Sequence, residues 1–239
     1  MRILFENKIE HSTVAAQDGS LNYPADSIWH PFLRKKFKSE FGDDVLTIDL
    51  EEISDLNCFF MGYHNVDAGS VVFFDSGLSP IGSALDLADA EDLFVAYFSS
   101  ISVRRIVVTI QNTAGNQVYV GGIGAGTYVQ MPTNLTAGFD RAVSDDTVVD
   151  ESPGGQTSRN KAASLRIRSF TFPDMDATER DRVDAPILAL GIGKPVYVDI
   201  FEGDRTADAP MYAKFTEPRR ITNPAARRYD LSIQLKEAR

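Results

Sequence analysis

Apolar and polar residues alternate in short runs between turn residues along most of this chain, a pattern of half-buried strands rather than helices. Residues 2–5 read as a short strand, and Asp18-Gly19 marks a turn in the polar stretch after it. The segment Val45-Leu46-Thr47-Ile48-Asp49-Leu50 alternates cleanly. Residues 56–63 form a longer apolar run, expected as a central strand covered on both faces, and residues 64–69 are its turn. Residues 70–75 and 93–98 read as strands. Residues 80–92, acidic and small, predict a helical turn or a long loop. Arg104-Arg105-Ile106-Val107-Val108-Thr109-Ile110 is the clearest strand and turns through residues 112–116 into 117–123.

The character changes after Pro132. Residues 133–164 are rich in Asp, Ser, Thr and Gly and predict an extended loop or arm. Residues 165–239 restart as a smaller β-rich part. Its one helix is expected from about Ala177 to Leu190, with Asp176 as cap, Glu179 completing a capping box and Gly191 as the stop. Pro186 is expected to kink or shorten it. The fold class is therefore mainly β, with a sandwich over 1–132, an arm over 133–164, and a β-rich part with one helix over 165–239.

Composition narrows the function. The 239 residues are 43% apolar and 24% charged, enough for a sizeable core. A net charge of −10 argues against nucleic-acid phosphates as partner. No apolar run reaches about 18 residues, so no membrane insertion is expected. The single cysteine, Cys58, allows no intrachain disulfide. With only three histidines, a transition-metal site is not expected, and neither is a cofactor.

Chemistry-bearing motifs are weak. Gly121-Gly122-Ile123-Gly124-Ala125-Gly126 is followed by strand-like residues and Pro132, not by the helix that a dinucleotide turn needs; crowding relieved by glycine is the better reading. No Gly-x-Ser-x-Gly occurs. His64, Asn65 and Asp67 read as turn residues, and Cys58 as a core residue. Acid pairs such as Asp43-Asp44 and Glu51-Glu52 read as surface charge. No catalytic residue is assigned, and the chain is not expected to be an enzyme. The aromatics Tyr23, Trp29 and Tyr63 fall near strand ends, where a ring can stack on a sugar, and are the candidate carbohydrate-binding residues. For Trp29, a core anchor is the competing role.

The order of Tyr23-Pro24-Ala25-Asp26-Ser27-Ile28-Trp29, Leu46-Thr47-Ile48-Asp49-Leu50 and Met61-Gly62-Tyr63-His64-Asn65 resembles a discoidin-like (galactose-binding-like) jelly roll. The version it resembles is that of phage and prophage tail proteins. Arg104 to Ile110 with Val118-Tyr119-Val120-Gly121-Gly122 looks like the paired last strands of that domain. The resemblance implies a structural protein of a phage tail tip or baseplate, assembled in the host cytoplasm and located in the virion. Its implied partners are other tail proteins and further copies of itself, with a host surface glycan as a ligand in attachment. A carbohydrate-binding module recognising a bacterial surface glycan is the alternative.

Overall fold

The computed structural model describes residues 1–10, 12–19, 23–29, 36–40, 42–87, 93–132, 140–144, 148–151, 157–160, 165–191, 193–200, 210–217 and 219–238. The fold is mainly β, and the strand pairings of defined register are antiparallel. In chain order the strands of the first half are β1 (Arg2–Leu4), β2 (Thr13–Ala16), β3 (Phe37–Lys38), β4 (Asp43–His64), β5 (Ala68–Phe74), β6 (Pro80–Asp86), β7 (Leu93–Gln111), β8 (Tyr119–Gly126) and β9 (Val129–Gln130). Then come β10 (Asp140–Ser144), β11 (Val148–Glu151), β12 (Thr157–Asn160), β13 (Leu165–Met175), helix α1 (Ala177–Leu190), β14 (Pro195–Asp199), β15 (Met211–Phe215), β16 (Arg220–Ala225) and β17 (Arg228–Glu237). A 3-10 turn covers Ala25–Trp29. The chain divides into two compact units: Met1–Gln130 with Val196–Tyr212, and Met131–Pro195 with Ala213–Ala238.

The first unit is a β-sandwich of jelly-roll type built on two long strands. β4 and β7 pair from Asp43↔Gln111 to Gly62↔Leu93. Each is continuous where the sequence pattern suggests two strands, and each changes its buried face midway. In β4 the core residues are Leu46, Ile48, Leu50 and Leu56, then Phe59 and Met61; in β7 they are Phe94, then Val103, then Ile106, Val108 and Ile110. Register explains the change. Between Leu56↔Ile101 and Cys58↔Tyr97, residues 98–100 stand against Asn57 alone; between Asp49↔Arg105 and Ser54↔Val103, residues 50–53 stand against Arg104 alone. A bulge bends a strand and re-aims its side chains. The bulge at 50–53 puts consecutive Arg104 and Arg105 within 2.9 and 3.1 Å of the Asp49 carboxylate. Glu51, at φ 61°, also donates its backbone N–H to that carboxylate. The Glu51 N–H, ahead of the arginines, holds the Asp49 carboxyl below its ordinary value.

Bending folds the two halves of the sheet face to face. One layer holds β2, the start of β4, the end of β7, β5 and β6; the other holds β3, β8, the end of β4 and the start of β7. One core fills the space between them. Phe59 shows the crossing directly: it lies in one layer and meets the ring of Phe73, on β5 of the other, at 6.3 Å. β6, in the stretch read from sequence as a loop or helical turn, is an edge strand paired with β5. Its side chains are mostly exposed, so no apolar alternation marks it.

The outer face of β8 is covered in turn by β1, β9 and β14. Arg2 opposes Gln130 on one side and Asp199 on the other. The glycines of β8 make this approach possible. A Cβ on Gly124 would sit 2.5 Å from the Tyr197 ring, and one on Gly126 would sit 2.5 Å from the Glu6 carbonyl oxygen. Asn7 fastens the same segment: its Nδ2 donates to the Ile123 carbonyl, and its Oδ1 accepts from the Ala125 N–H. The glycine-rich stretch is thus a strand pressed against a neighbouring layer, the crowding expected from the sequence.

The second unit is a sheet of β10, β13, β17 and residues 213–215 of β15, with β16 paired to β17. Phe170 and Phe172 oppose Ile233 and Leu231, and all four are buried. The capping box of Asp176 and Glu179 starts α1, whose Val183 and Ile187 are buried. Gly191, at φ 70°, ends it and donates its N–H to the Ile187 carbonyl. The helix runs through Pro186 without ending early. Arg219 pairs with Asp184 on its flank. In the stretch expected as an extended loop, β10 pairs with β13, and β11 and β12 pair with each other. Their short sequences, DRAVS, VVDE and TSRN, carry no sustained apolar period to read.

Candidate functional site

Beyond the covering strands, the outer face of the sandwich continues onto β3 and the start of β8. Phe37 is fully buried and opposes Val120, while Lys38 opposes Tyr119. Ser39 is buried too, exchanging hydrogen bonds with Val118: the Ser39 N–H donates to the Val118 carbonyl at 3.0 Å, and the Val118 N–H donates to Ser39 Oγ at 3.0 Å. Since Phe37 and Ser39 point inward, Lys36 and Lys38 point outward together. The Lys36 ammonium sits 4.1 Å from the centre of the Tyr119 ring, and the Lys38 ammonium 4.2 Å from that of Tyr23. Each contact is worth about 0.5–1 kcal/mol at an exposed site.

The turn after Tyr23 holds it in place. The 3-10 turn Ala25–Trp29 buries Ile28 completely in the core, and the Ser27 N–H donates to the Pro24 carbonyl. Tyr23 itself stays 38% exposed, one of few large apolar side chains among the described residues to do so. The result is a strip of two phenol rings and two ammonium groups on one sheet face. It can offer ring faces for stacking, hydroxyls for hydrogen bonding, and positive charge.

The turns 65–67 and 112–118, at the end of the sandwich where β4 meets β5, look polar but are spent on one another. Asn65 donates to the Gln117 carbonyl and accepts from the Tyr119 N–H. His64 Nδ1 accepts from the Val66 N–H. Asp67 accepts from both the hydroxyl and the N–H of Thr113, and the hydroxyl first of all holds its carboxyl below the ordinary value. These residues have the turn role read from sequence. Asp44 of the Asp43-Asp44 pair is likewise structural, with Oδ1 accepting from the N–H groups of Gln17, Asp18 and Val45.

Other titratable groups are buried where reaction is disfavoured. Burial pushes the Cys58 thiol up to about 12, and the thiol donates to the Gly126 carbonyl. That is the core cysteine expected from its apolar run. Tyr97 donates to the buried carboxylate of Asp199 at 2.8 Å, with the Arg2 guanidinium 4.2 Å from its ring and 4.8 Å from that of Tyr128. Burial above all raises the pKa of Tyr97, and likewise of Tyr197 and Tyr212.

The raised pKa values mean that the folded chain keeps phenol protons that the unfolded chain gives up near the ordinary value of 10.0. Stability is then unaffected below pH 10 and falls as pH rises past it. Spectrophotometric titration of the native chain should leave three of its eight tyrosines un-ionised until an abrupt step that coincides with loss of β circular dichroism. Smooth ionisation of all eight in the folded state would contradict this burial.

Of the residues singled out in the sequence, Tyr23 lies on the strip. Tyr63 is half-buried at a kink in β4, with φ 56°, and faces Gly121 so closely that a Cβ there would lie 2.9 Å from its own. Trp29 ends the 3-10 turn, and its side chain lies outside what is described, so the choice between sugar contact and core anchor is not decided there. Sequence reading missed Lys36, Lys38 and Tyr119 as site residues. The run Lys36-Phe37-Lys38 carries the clue, since an apolar residue between two lysines in a strand sends both charges to one face. Among the described residues no group of three or more His, Cys, Asp or Glu is placed to hold a metal ion.

No family model and no curated protein matches the sequence. Solved structures are similar in strand arrangement over about half of the chain. A fucose-binding module from Streptococcus pneumoniae is 9% identical, with a TM-score of 0.46, over 52% of this chain and 99% of its own. The lectin domain of lectinolysin, complexed with Lewis B antigen, is 9% identical with a TM-score of 0.44, over 50% of this chain and 95% of its own. Chitosan-binding module 1 of a chitosanase/glucanase from Paenibacillus sp. IK-5 is 9% identical with a TM-score of 0.45, over 51% of this chain and 99% of its own. These structural neighbours are carbohydrate-binding modules; none of the three is a tail protein.

Proposed function

We propose that the chain is a binding protein whose outer β3–β8 face takes a glycan. The carrying observation is the pairing of an exposed ring, Tyr23, with a second ring, Tyr119, and two lysines on one rigid sheet face. Aromatic faces stack on the C–H face of a pyranose, and lysine and tyrosine donors fix its oxygens. The reading rests on this face rather than on the distant likenesses in strand arrangement.

A glycan array probed with the chain tests it. Tyr23→Ala should lower binding about tenfold or more without altering the circular dichroism spectrum, because the Tyr23 ring lies outside the buried core. An array that stays blank for the native chain would overturn the reading, and unchanged binding by Tyr23→Ala would move the site elsewhere. The tail-tip setting implied by the sequence resemblance is a separate proposal, in which this face would serve host attachment. Mass spectrometry of purified particles tests that setting: the chain should be present in stoichiometric amount.

A further inference from the structure

We infer that the glycan held by this face is an acidic one, a polysaccharide of carboxylated sugars; the inference deepens the glycan reading and rests on it. The burial of Phe37 and Ser39 fixes the direction of both lysines, whose α-carbons are about 7 Å apart along the strand. Each ammonium lies on a tyrosine ring, at 4.1 and 4.2 Å from its centre. A neutral pyranose stacking on that side of either ring must first displace the cation and forfeit the contact. A carboxylated sugar recruits it instead, pairing its carboxylate with the ammonium at the ring edge. Lys38 makes no ion pair with any described residue, so its charge is not committed to an acid of the fold.

The overall charge works against an acidic polymer and confines it to this strip. The chain carries a net charge of −10, so an acidic polymer is repelled over most of the surface and attracted where lysines stand together. The inward–outward burial pattern places Glu40, which is exposed, as the next outward position after Lys38. It tempers the strip at one end, so removing its charge should strengthen the same binding.

The test uses the full chain and immobilised polygalacturonate, alginate, hyaluronate and colominic acid, each beside its carboxyl-reduced form. At least one acidic polymer should be retained about tenfold more tightly than its reduced form, and the preference should vanish in about 0.5 M NaCl, where the screening length falls to about 4 Å. Lys38→Gln should remove most of the preference, about threefold to tenfold, while Lys38→Arg keeps it and Glu40→Gln increases it. Equal retention of acidic and reduced forms, unchanged by Lys38→Gln, would overturn the acidic assignment and leave the glycan reading standing. Retention of neither form of any polymer, together with a blank array, would remove both.

Discussion

Replacing Phe59 with alanine is expected to cost the first unit about 3–5 kcal/mol of unfolding free energy, the range for deleting a fully buried aromatic side chain. Phe59 is completely buried and meets Phe73 and Phe94, both with ring centroids 6.3 Å away in edge-on geometry. Because Phe73 belongs to the opposite layer, the loss is not a local strand defect; it opens a cavity between the two layers. Urea unfolding should show a lower midpoint with little change in slope. Ile53→Ala, on the bulge and 58% exposed, is the control and should stay within about 0.5 kcal/mol of the native chain. Equal effects for the two would mean that Phe59 does not join the layers.

Gly126→Val is expected to be at least as damaging, for the opposite reason. A Cβ at this position meets the Glu6 carbonyl oxygen at 2.5 Å and Leu4 Cδ1 at 2.7 Å. The leucine can rotate, but the carbonyl belongs to a backbone segment fastened at Asn7 and at the Lys8 N–H, which donates to the Ala125 carbonyl. Overpacking costs about 1–3 kcal/mol where side chains can yield, and here backbone must move instead. The variant should fail to accumulate as folded protein, or unfold at markedly lower urea. Gly126 has no left-handed φ, so its penalty is steric; Gly82→Val, with no atom within 4 Å but a left-handed φ of 67°, shows backbone strain without contact. If Gly126→Val unfolds at the same urea concentration as the native chain, the backbone at Glu6 does not approach β8 this closely.

Much of the sandwich is legible in the sequence because one face of most of its strands is buried. Residues 45–50 and 104–110 alternate, and both lie where β4 and β7 have one face in the core. Their continuity is hidden by two bulges, at 50–53 and at 98–100, where the interrupted alternation mimics a turn. β6, β10, β11 and β12 are hidden for a different reason: backbone pairing holds them, and backbone hydrogen bonds leave no trace in composition. Residues 194–200 read as a strand in the sequence, but nothing in them says that Tyr197 packs on Phe60 and Gly124, more than seventy positions earlier. The helix is the opposite case, since its cap and stop are local chemistry. Pro186 misleads because it removes one N–H donor without ending the run.

The site is less legible than the fold. Tyr23 is visible as an aromatic beside a turn, but Tyr119 reads only as one residue of a strand. Lys36 and Lys38 look like ordinary surface charge until the buried Phe37 fixes their direction. His64, Asn65 and Asp67 are legible as turn residues: Asn65 and Asp67 tie two turns together, and His64 accepts from Val66 in its own turn.

The most direct measurement of the glycan-binding face is a titration of isotope-labelled chain with the best ligand from the polysaccharide panel, monitored residue by residue in NMR spectra. Perturbed amides and side chains are expected to cluster at Tyr23, Lys36, Lys38 and Tyr119, with the turns at 65–67 and 112–116 unmoved. Perturbations centred on those turns, or scattered over both units, would contradict a binding face on β3 and β8.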